Sequence, residues 1–131
     1  MLITQHKDNL QYLTAPGIAA KHCFTTRLGG VSEGYLDSLN IGIHRGDSAE
    51  NVEKNYDILA NALGFDPGKL ILTRQTHSSI VRAVTEADTG SIFREDIPEC
   101  DALITNTPAW LWWYLPRTAP PFCFTIPLPE P

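Results

Sequence analysis

The chain of 131 residues is long enough for one domain, and its 43% hydrophobic content is enough for a buried core. Fifteen acidic residues against ten basic, a formal net charge of −5 and no basic run exclude an electrostatic footprint for nucleic acid or an anionic membrane. No stretch approaches the about 20 apolar residues of a membrane span. Met1 to Leu10 is too polar for a signal peptide, so the cytoplasm is the expected compartment. Cys23, Cys100 and Cys123 are odd in number and widely spaced, with no Cys-x-x-Cys pairing. That pattern argues against both a disulfide framework and a self-contained zinc knuckle and points to reduced thiols.

In chain order, residues 22–27 carry β-branched and aromatic side chains and are stopped by Leu28-Gly29-Gly30, which predicts a strand entering a glycine-rich loop. Leu39-Asn40-Ile41-Gly42-Ile43 alternates apolar with small or polar residues, the period of a half-buried strand. Asp47 with Glu50 has the layout of a capping box, a carboxylate standing where a hydroxyl usually meets the orphan amides, so a helix is expected next. Val52, Tyr56, Leu59 and Leu63 place an apolar stripe on one helical face, and Gly64 supplies the left-handed conformation that ends helices. Residues 65–68 read as a turn. Residues 69–75 and 79–84 read as strands broken around Thr76-His77-Ser78, residues 86–99 as a polar loop and residues 102–105 as another strand. No repeat, low-complexity tract or linker divides residues 1–108.

Several side chains are candidates for chemistry. An imidazole between two strands, as expected for His77, can present one nitrogen to a metal while a hydrogen bond orients the other; the alternative is a structural or solvent-facing histidine. His22 and Cys23 are neighbours, face opposite ways on an extended strand and do not readily serve one metal together, so Cys23 reads as core. His44 is placed to reach a cleft near the helix start or to be an ordinary loop histidine, and His6 reads as terminal and solvated. Arg27, Gly29 and Gly30 can bring a guanidinium and close backbone amides to an anion such as phosphate, with a plain turn as the alternative. The chain has no Gly-x-Gly-x-x-Gly, Walker-type lysine motif or Gly-x-Ser-x-Gly elbow.

After Asn106-Thr107-Pro108 the composition changes abruptly. All three tryptophans and six of the ten prolines lie in residues 109–131. Joining the third base of each codon there to the first two of the next forces Val-Val across Trp112 to Tyr114 and Leu across Phe122 to Cys123. Elsewhere the degenerate positions permit Leu-Ala-Val-Val-Val-Ser-Thr-Ala-Asp-Cys-Thr-Pro-Ile-Leu-Leu-Tyr-Asp-Pro. The expectation is a frameshift near residue 109. Residues 1–108 would then be the N-terminal portion of a larger domain and residues 109–131 an aberrant tail.

Five motifs, taken together, resemble one family in order over residues 20–108. They are Cys23-Phe24-Thr25-Thr26-Arg27-Leu28-Gly29-Gly30-Val31-Ser32; Ser38-Leu39-Asn40-Ile41-Gly42; Gly46-Asp47 with Asn51-Val52-Glu53-Lys54-Asn55; Arg74-Gln75-Thr76-His77; and Asp101-Ala102-Leu103-Ile104-Thr105. The pattern resembles the YfiH-type laccase-domain proteins, also called multicopper polyphenol oxidases. The resemblance implies an α/β fold, a single domain with mixed β-sheets layered between helices. It implies zinc-dependent phosphorolysis of adenosine, inosine and methylthioadenosine, with adenosine deamination, copper belonging to the older laccase description. The implied partners are a purine nucleoside and phosphate. The implied metal site joins a histidine of a Gln-x-His segment, a cysteine of an Ala-Asp-Cys-x-Pro segment and a histidine of a later His-Ala-Gly-Trp segment.

Only His77 matches a metal ligand, and Arg27, Gly29, Gly30 and Asn40 are the candidates for shaping the substrate pocket. The hidden frame supplies Thr-Ala-Asp-Cys-Thr-Pro where the family has its cysteine motif, so this chain is expected to be an inactive fragment that does not hold the zinc. Cys123 lies in the altered frame and does not replace that cysteine by alignment. The rival reading is a small binding module that uses the aromatic run Trp110 to Leu115 on a partner. Sequencing the coding DNA across Pro108 and beyond the stop is expected to show a second frame running into a His-Ala-Gly-Trp segment. A clean frame unable to encode that reading would remove the frameshift.

Overall fold

A computed structural model describes residues 1–19 and 21–106. The chain groups into two compact units, Met1–Pro16 with Cys23–Pro67, and Gly17–His22 with Gly68–Pro131. Among the described residues no helix is long and apolar enough to cross a membrane.

The first unit begins with a hairpin that the pattern reading passed over. Strands β1 (Ile3–Lys7) and β2 (Leu10–Thr14) pair antiparallel with Lys7 opposite Leu10, which leaves Asp8 and Asn9 as a tight connection. Asp8 sits at φ 52°, a left-handed conformation that Asp and Asn tolerate better than most residues. Strand β3 (Phe24–Thr25) adds to β2 and makes the order β1-β2-β3. It is shorter than the strand expected over residues 22–27, although Thr26 still donates to the Gln11 carbonyl through both its amide and its hydroxyl. Cys23 is buried, as expected of a core residue.

Helix α1 (Ala49–Leu63) follows the expected stripe, with Val52, Tyr56 and Leu59 fully buried and Leu63 half-buried. Gly64 closes it at φ 73°, donating its amide to Ala60 at 2.8 Å. The start lies one residue later than the capping-box reading: Ser48 is the N-cap, its hydroxyl accepting from the Asn51 amide at 3.1 Å. Glu50 instead pairs with Lys54 at 2.6 Å on the exposed face.

Residues 39–43 do not form the expected strand. Their alternation is present, with Leu39 and Ile41 buried, yet side chains rather than a neighbouring strand take up the backbone groups. Asn55 donates to the Asn40 carbonyl at 2.7 Å and the Tyr56 hydroxyl to the Ile41 carbonyl at 3.1 Å. Asn40 accepts from the Gly42 amide and donates to the Gly42 carbonyl. The Tyr56 phenol is held well above its ordinary range by burial.

In the second unit, β4 (Val81–Ala83) and β5 (Ala102–Ile104) form a short parallel pair. Residues 69–75 run extended without a ladder, because one end bridges Gly90 antiparallel and the other bridges Glu99 parallel. Leu70, Ile71, Leu72 and Thr73 are nonetheless all buried, and Ile71 and Val84 form a small core on which Leu103 packs. Residues 86–99 are irregular as expected, apart from a short 3-10 turn at Glu86–Asp88 that Thr85 and Asp88 cap reciprocally. α1 is the only α-helix among the described residues, which combine it with the mixed sheets expected of an α/β domain.

Asn55 makes three hydrogen bonds from a fully buried position, so Asn55→Ala is expected to lower unfolding free energy by about 3 kcal/mol in urea titration. A loss below about 0.5 kcal/mol would show that water replaces those bonds.

Candidate functional site

Within the first unit the glycine-rich loop closes on itself. The Arg27 carbonyl accepts from the Ser38 and Leu39 amides at 2.9 and 2.8 Å, while Arg27 Nε donates back to the Asp37 carbonyl at 2.7 Å. Gly29 and Gly30 both direct their amides at Ser38 Oγ, at 3.1 and 3.2 Å. A Cβ on Gly29 would fall 2.4 Å from Leu10 Cα, and one on Gly30 would fall 2.2 Å from the Ser38 carbonyl oxygen. Both contacts are with backbone, so only glycine lets the loop approach the hairpin and the 38–39 segment. A direct role for these two amides at an anion requires Ser38 Oγ to turn away. Arg27 is exposed and keeps guanidinium N–H groups beyond those on Asp37.

Asn40 faces inward to a carboxylate. Its Nδ2 donates to Asp47 Oδ2 at 3.1 Å, and Ser32 Oγ donates to the same oxygen. The other oxygen accepts from the Ser48 amide and the Asn51 side chain at 2.9 and 3.1 Å. These bonds, Ser32 foremost and then Asn40, hold the Asp47 carboxyl below its ordinary range. Asp47 therefore ties the loop to the start of α1 instead of capping the helix.

In the second unit His77 is exposed at the tip of a turn, at φ 59°. A left-handed histidine is uncommon and costs conformational energy unless its surroundings hold it. Here Asp101 holds it: the carboxylate accepts from the Thr76 amide at 3.2 Å, the Ser78 amide at 2.8 Å and the Ser78 hydroxyl. Those bonds, the Ser78 hydroxyl first, keep the Asp101 carboxyl below its ordinary range. Two neighbours on the approach to His77, Thr73 Oγ1 and Gln75 Oε1, are buried with no hydrogen-bond partner.

His77 offers one nitrogen donor set by that turn, whereas zinc takes three protein ligands in catalytic sites and four in structural ones. Among the described residues no three of His, Cys, Asp or Glu converge. His44 and His6 are exposed, the latter on β1, and His22 is half-buried. Cys100 is fully buried, and burial pushes its thiol up. Cys123 and the aromatic run from Trp110 lie outside the described residues. Sequence reasoning missed Asp101, Ser38 and Asp47 as organising residues, although each sits inside a quoted motif; their partners lie too far along the chain for a local pattern to announce.

The scaffold is α/β, with a three-stranded antiparallel sheet, a parallel strand pair and one long helix among the described residues. Residues 21–115 match the family model described as multi-copper polyphenol oxidoreductase laccase, and the chain belongs to that family. The match runs past Pro108 into the compositionally distinct segment. Among relatives, the purine nucleoside phosphorylase YfiH of Escherichia coli is 38% identical over 98 residues, covering 75% of this chain and 37% of that protein. A purine nucleoside phosphorylase of Corynebacterium glutamicum is 38% identical over 83 residues, 63% of this chain and 32% of its own length. The crystal structure of YlmD from Geobacillus stearothermophilus superposes with a TM-score of 0.74 at 30% identity, covering 87% of this chain and 44% of that one. The chain thus spans less than half the length of these relatives.

Because the Asp101 pKa is lowered in the folded state, its contribution is present above the ordinary carboxylate range near pH 4 and is lost as pH falls through the depressed value. Asp101→Asn is expected to speed hydrogen exchange at the Thr76 and Ser78 amides at pH 7. The parent is expected to approach the variant only well below pH 4. Identical exchange in both proteins at pH 7 would remove Asp101 as the holder of the turn.

Proposed function

We propose that this chain comes from a zinc-dependent purine nucleoside phosphorylase lineage, with phosphorolysis of adenosine, inosine and methylthioadenosine and a side activity of adenosine deamination. The 131-residue polypeptide itself carries too few ligands to be active. The observation that carries the reading is the Gln75-Thr76-His77 turn, held open by Asp101 in a chain whose relatives are named purine nucleoside phosphorylases. In the complete site His77 would be one of three ligands.

Phosphorolysis sends a phosphate oxygen to the sugar carbon as the purine leaves, so it needs cationic or amide donors at the phosphate. Arg27 is the best suited of the proposed pocket residues, since its guanidinium is exposed and only part of its fork is engaged. Gly29 and Gly30 shape the loop that carries it, and Asn40 anchors that loop through Asp47. The described residues do not fit a tightly held zinc ion, because a single exposed imidazole is the whole donor set and Asp101 is committed to backbone amides. No chemical step through a metal is assigned to this polypeptide. The frameshift remains our explanation for the missing cysteine motif. The binding-module alternative rests on residues outside those described and gains no support here.

The test compares this chain with a version whose residues after 108 follow the second frame through the downstream DNA. Zinc content and phosphate-dependent release of purine from adenosine and inosine are measured on both. Turnover and stoichiometric zinc are expected in the restored protein alone. His77→Ala there should reduce turnover by at least ~100-fold, beyond the 10–100-fold typical of losing an outer-shell partner of a metal ligand. Tightly held zinc with robust turnover in the 131-residue chain would overturn the proposal.

A further inference from the structure

The connection between β1 and β2 faces α1 across a pocket that phosphorolysis, as read above, does not use. Its volume is about 260 Å³, room for a molecule somewhat smaller than the drug-sized ligands that fill pockets of ~300–1,000 Å³. The floor is apolar: Leu10, only 1% exposed, lies there with Ile58 and Ala62. Those two helix residues stand one turn apart, which puts them and Asn61 on one face of α1. Gly29 closes one end with backbone alone, since a Cβ there would fall 2.6 Å from the Asn9 carbonyl oxygen. Every lining residue belongs to the first unit.

The rim is polar and carries both signs of charge. Register sets Lys7 opposite Leu10, and directly opposed side chains of an antiparallel pair share a face, so the lysine stem runs along the apolar floor while its ammonium stays at the mouth. Asp8 and Asn9 form the turn above, and Asn61 adds a second carboxamide from α1. Among the described residues the side chains of Lys7, Asp8, Asn9 and Asn61 make no hydrogen bond or ion pair. Lys7 and Asp8 are sequence neighbours of opposite charge, yet they do not pair with each other. Two unspent charges and two carboxamides, each of which both donates and accepts, therefore border one apolar hollow.

The geometry points to a binding site for a small zwitterion with an aliphatic body, an α-amino acid of the leucine type. A lone anion would meet the Asp8 carboxylate and a lone cation the Lys7 ammonium, whereas a molecule carrying both charges on one carbon satisfies the two together. Lys7 takes the carboxylate and Asp8 the α-ammonium. Asn9 and Asn61 serve the remaining donors and acceptors, and the aliphatic chain lies on Leu10, Ile58 and Ala62. This inference is independent of the phosphorolysis proposed above. Its readout is binding by the 131-residue chain, which that proposal holds to be inactive, so each can fail without the other.

The experiment titrates the isotope-labelled chain with L-leucine, with isocaproate, which lacks the ammonium, and with isoamylamine, which lacks the carboxylate, and follows amide chemical shifts. Leucine is expected to saturate with a half-point of about 1 mM, the order available to so small a ligand, and to move Asn9, Leu10, Gly29 and Asn61. Each half-molecule should bind at least ~10-fold more weakly, the loss that accompanies one charge-assisted hydrogen bond. Lys7→Gln should bring leucine down to the level of isoamylamine, and Asp8→Asn, which keeps a residue tolerant of the left-handed φ of 52°, down to that of isocaproate. Lys54→Gln, on the exposed face of α1, is the control and should leave binding unchanged. Equal binding of all three molecules, shifts confined to residues outside the pocket, or no saturation by leucine would overturn the proposal. So would inosine or inorganic phosphate moving the same amides at lower concentration than leucine, which would give the pocket to nucleoside chemistry.

Discussion

The first unit depends on one buried carboxamide. Asn55 Oδ1 accepts from the Val31 amide at 2.8 Å, while Nδ2 donates to Ser32 Oγ at 2.9 Å and to the Asn40 carbonyl at 2.7 Å. A single side chain on α1 thereby fixes the end of the glycine-rich loop and the extended 39–43 segment. Asn suits the place because it is both donor and acceptor without charge: aspartate would bury a carboxylate and leave the Asn40 carbonyl without its donor. Gly30 completes the arrangement, since a Cβ there would lie 2.5 Å from Asn55 Oδ1. Loop and helix are therefore matched residue by residue, and the loop cannot adopt its path without the helix behind it.

Two carboxylates repeat this logic. Asp47 gathers Ser32, Asn40, Ser48 and Asn51 at the start of α1, and Asp101 gathers Thr76 and Ser78 around the left-handed His77. In each case a carboxylate is kept by several donors: at Asp101 these are chiefly groups of a turn that has no ladder to satisfy them, whereas Asp47 takes three of its four from the side chains of Ser32, Asn40 and Asn51. His77 is presented to solvent on a turn whose geometry Asp101 sets.

Legibility differed by the range of the interaction. The stripe Val52, Tyr56, Leu59 and the stop at Gly64 were readable because helix period and termination depend on residues within one or two turns. The cap was displaced from Asp47 to Ser48 because both residues are good caps, and the choice fell to Asp47's remote partners Ser32 and Asn40. Alternation at Leu39 and Ile41 correctly marked an extended, half-buried segment, yet it carried no information on whether strand or side chain would meet the backbone. The β1–β2 hairpin was present in the strand-forming residues around Asp8-Asn9 and was overlooked. His77 was singled out, but the carboxylate that holds it was not, since Asp101 stands 23 positions beyond Ser78.

By itself the sequence determined the family, through motifs whose order no single loop or helix would require, together with the helix, its stop at Gly64 and the buried identity of Cys23. It also showed one of the three expected metal-ligand motifs and a change of composition after Pro108. Only the tertiary structure decided that Ser38 Oγ occupies the amides of Gly29 and Gly30 and that Asp47 and Asp101 organise turns. The division has a physical cause. Backbone conformation is biased by neighbours a few residues away, whereas the partner of each polar group and the cover of each apolar face depend on distant segments that meet only on folding.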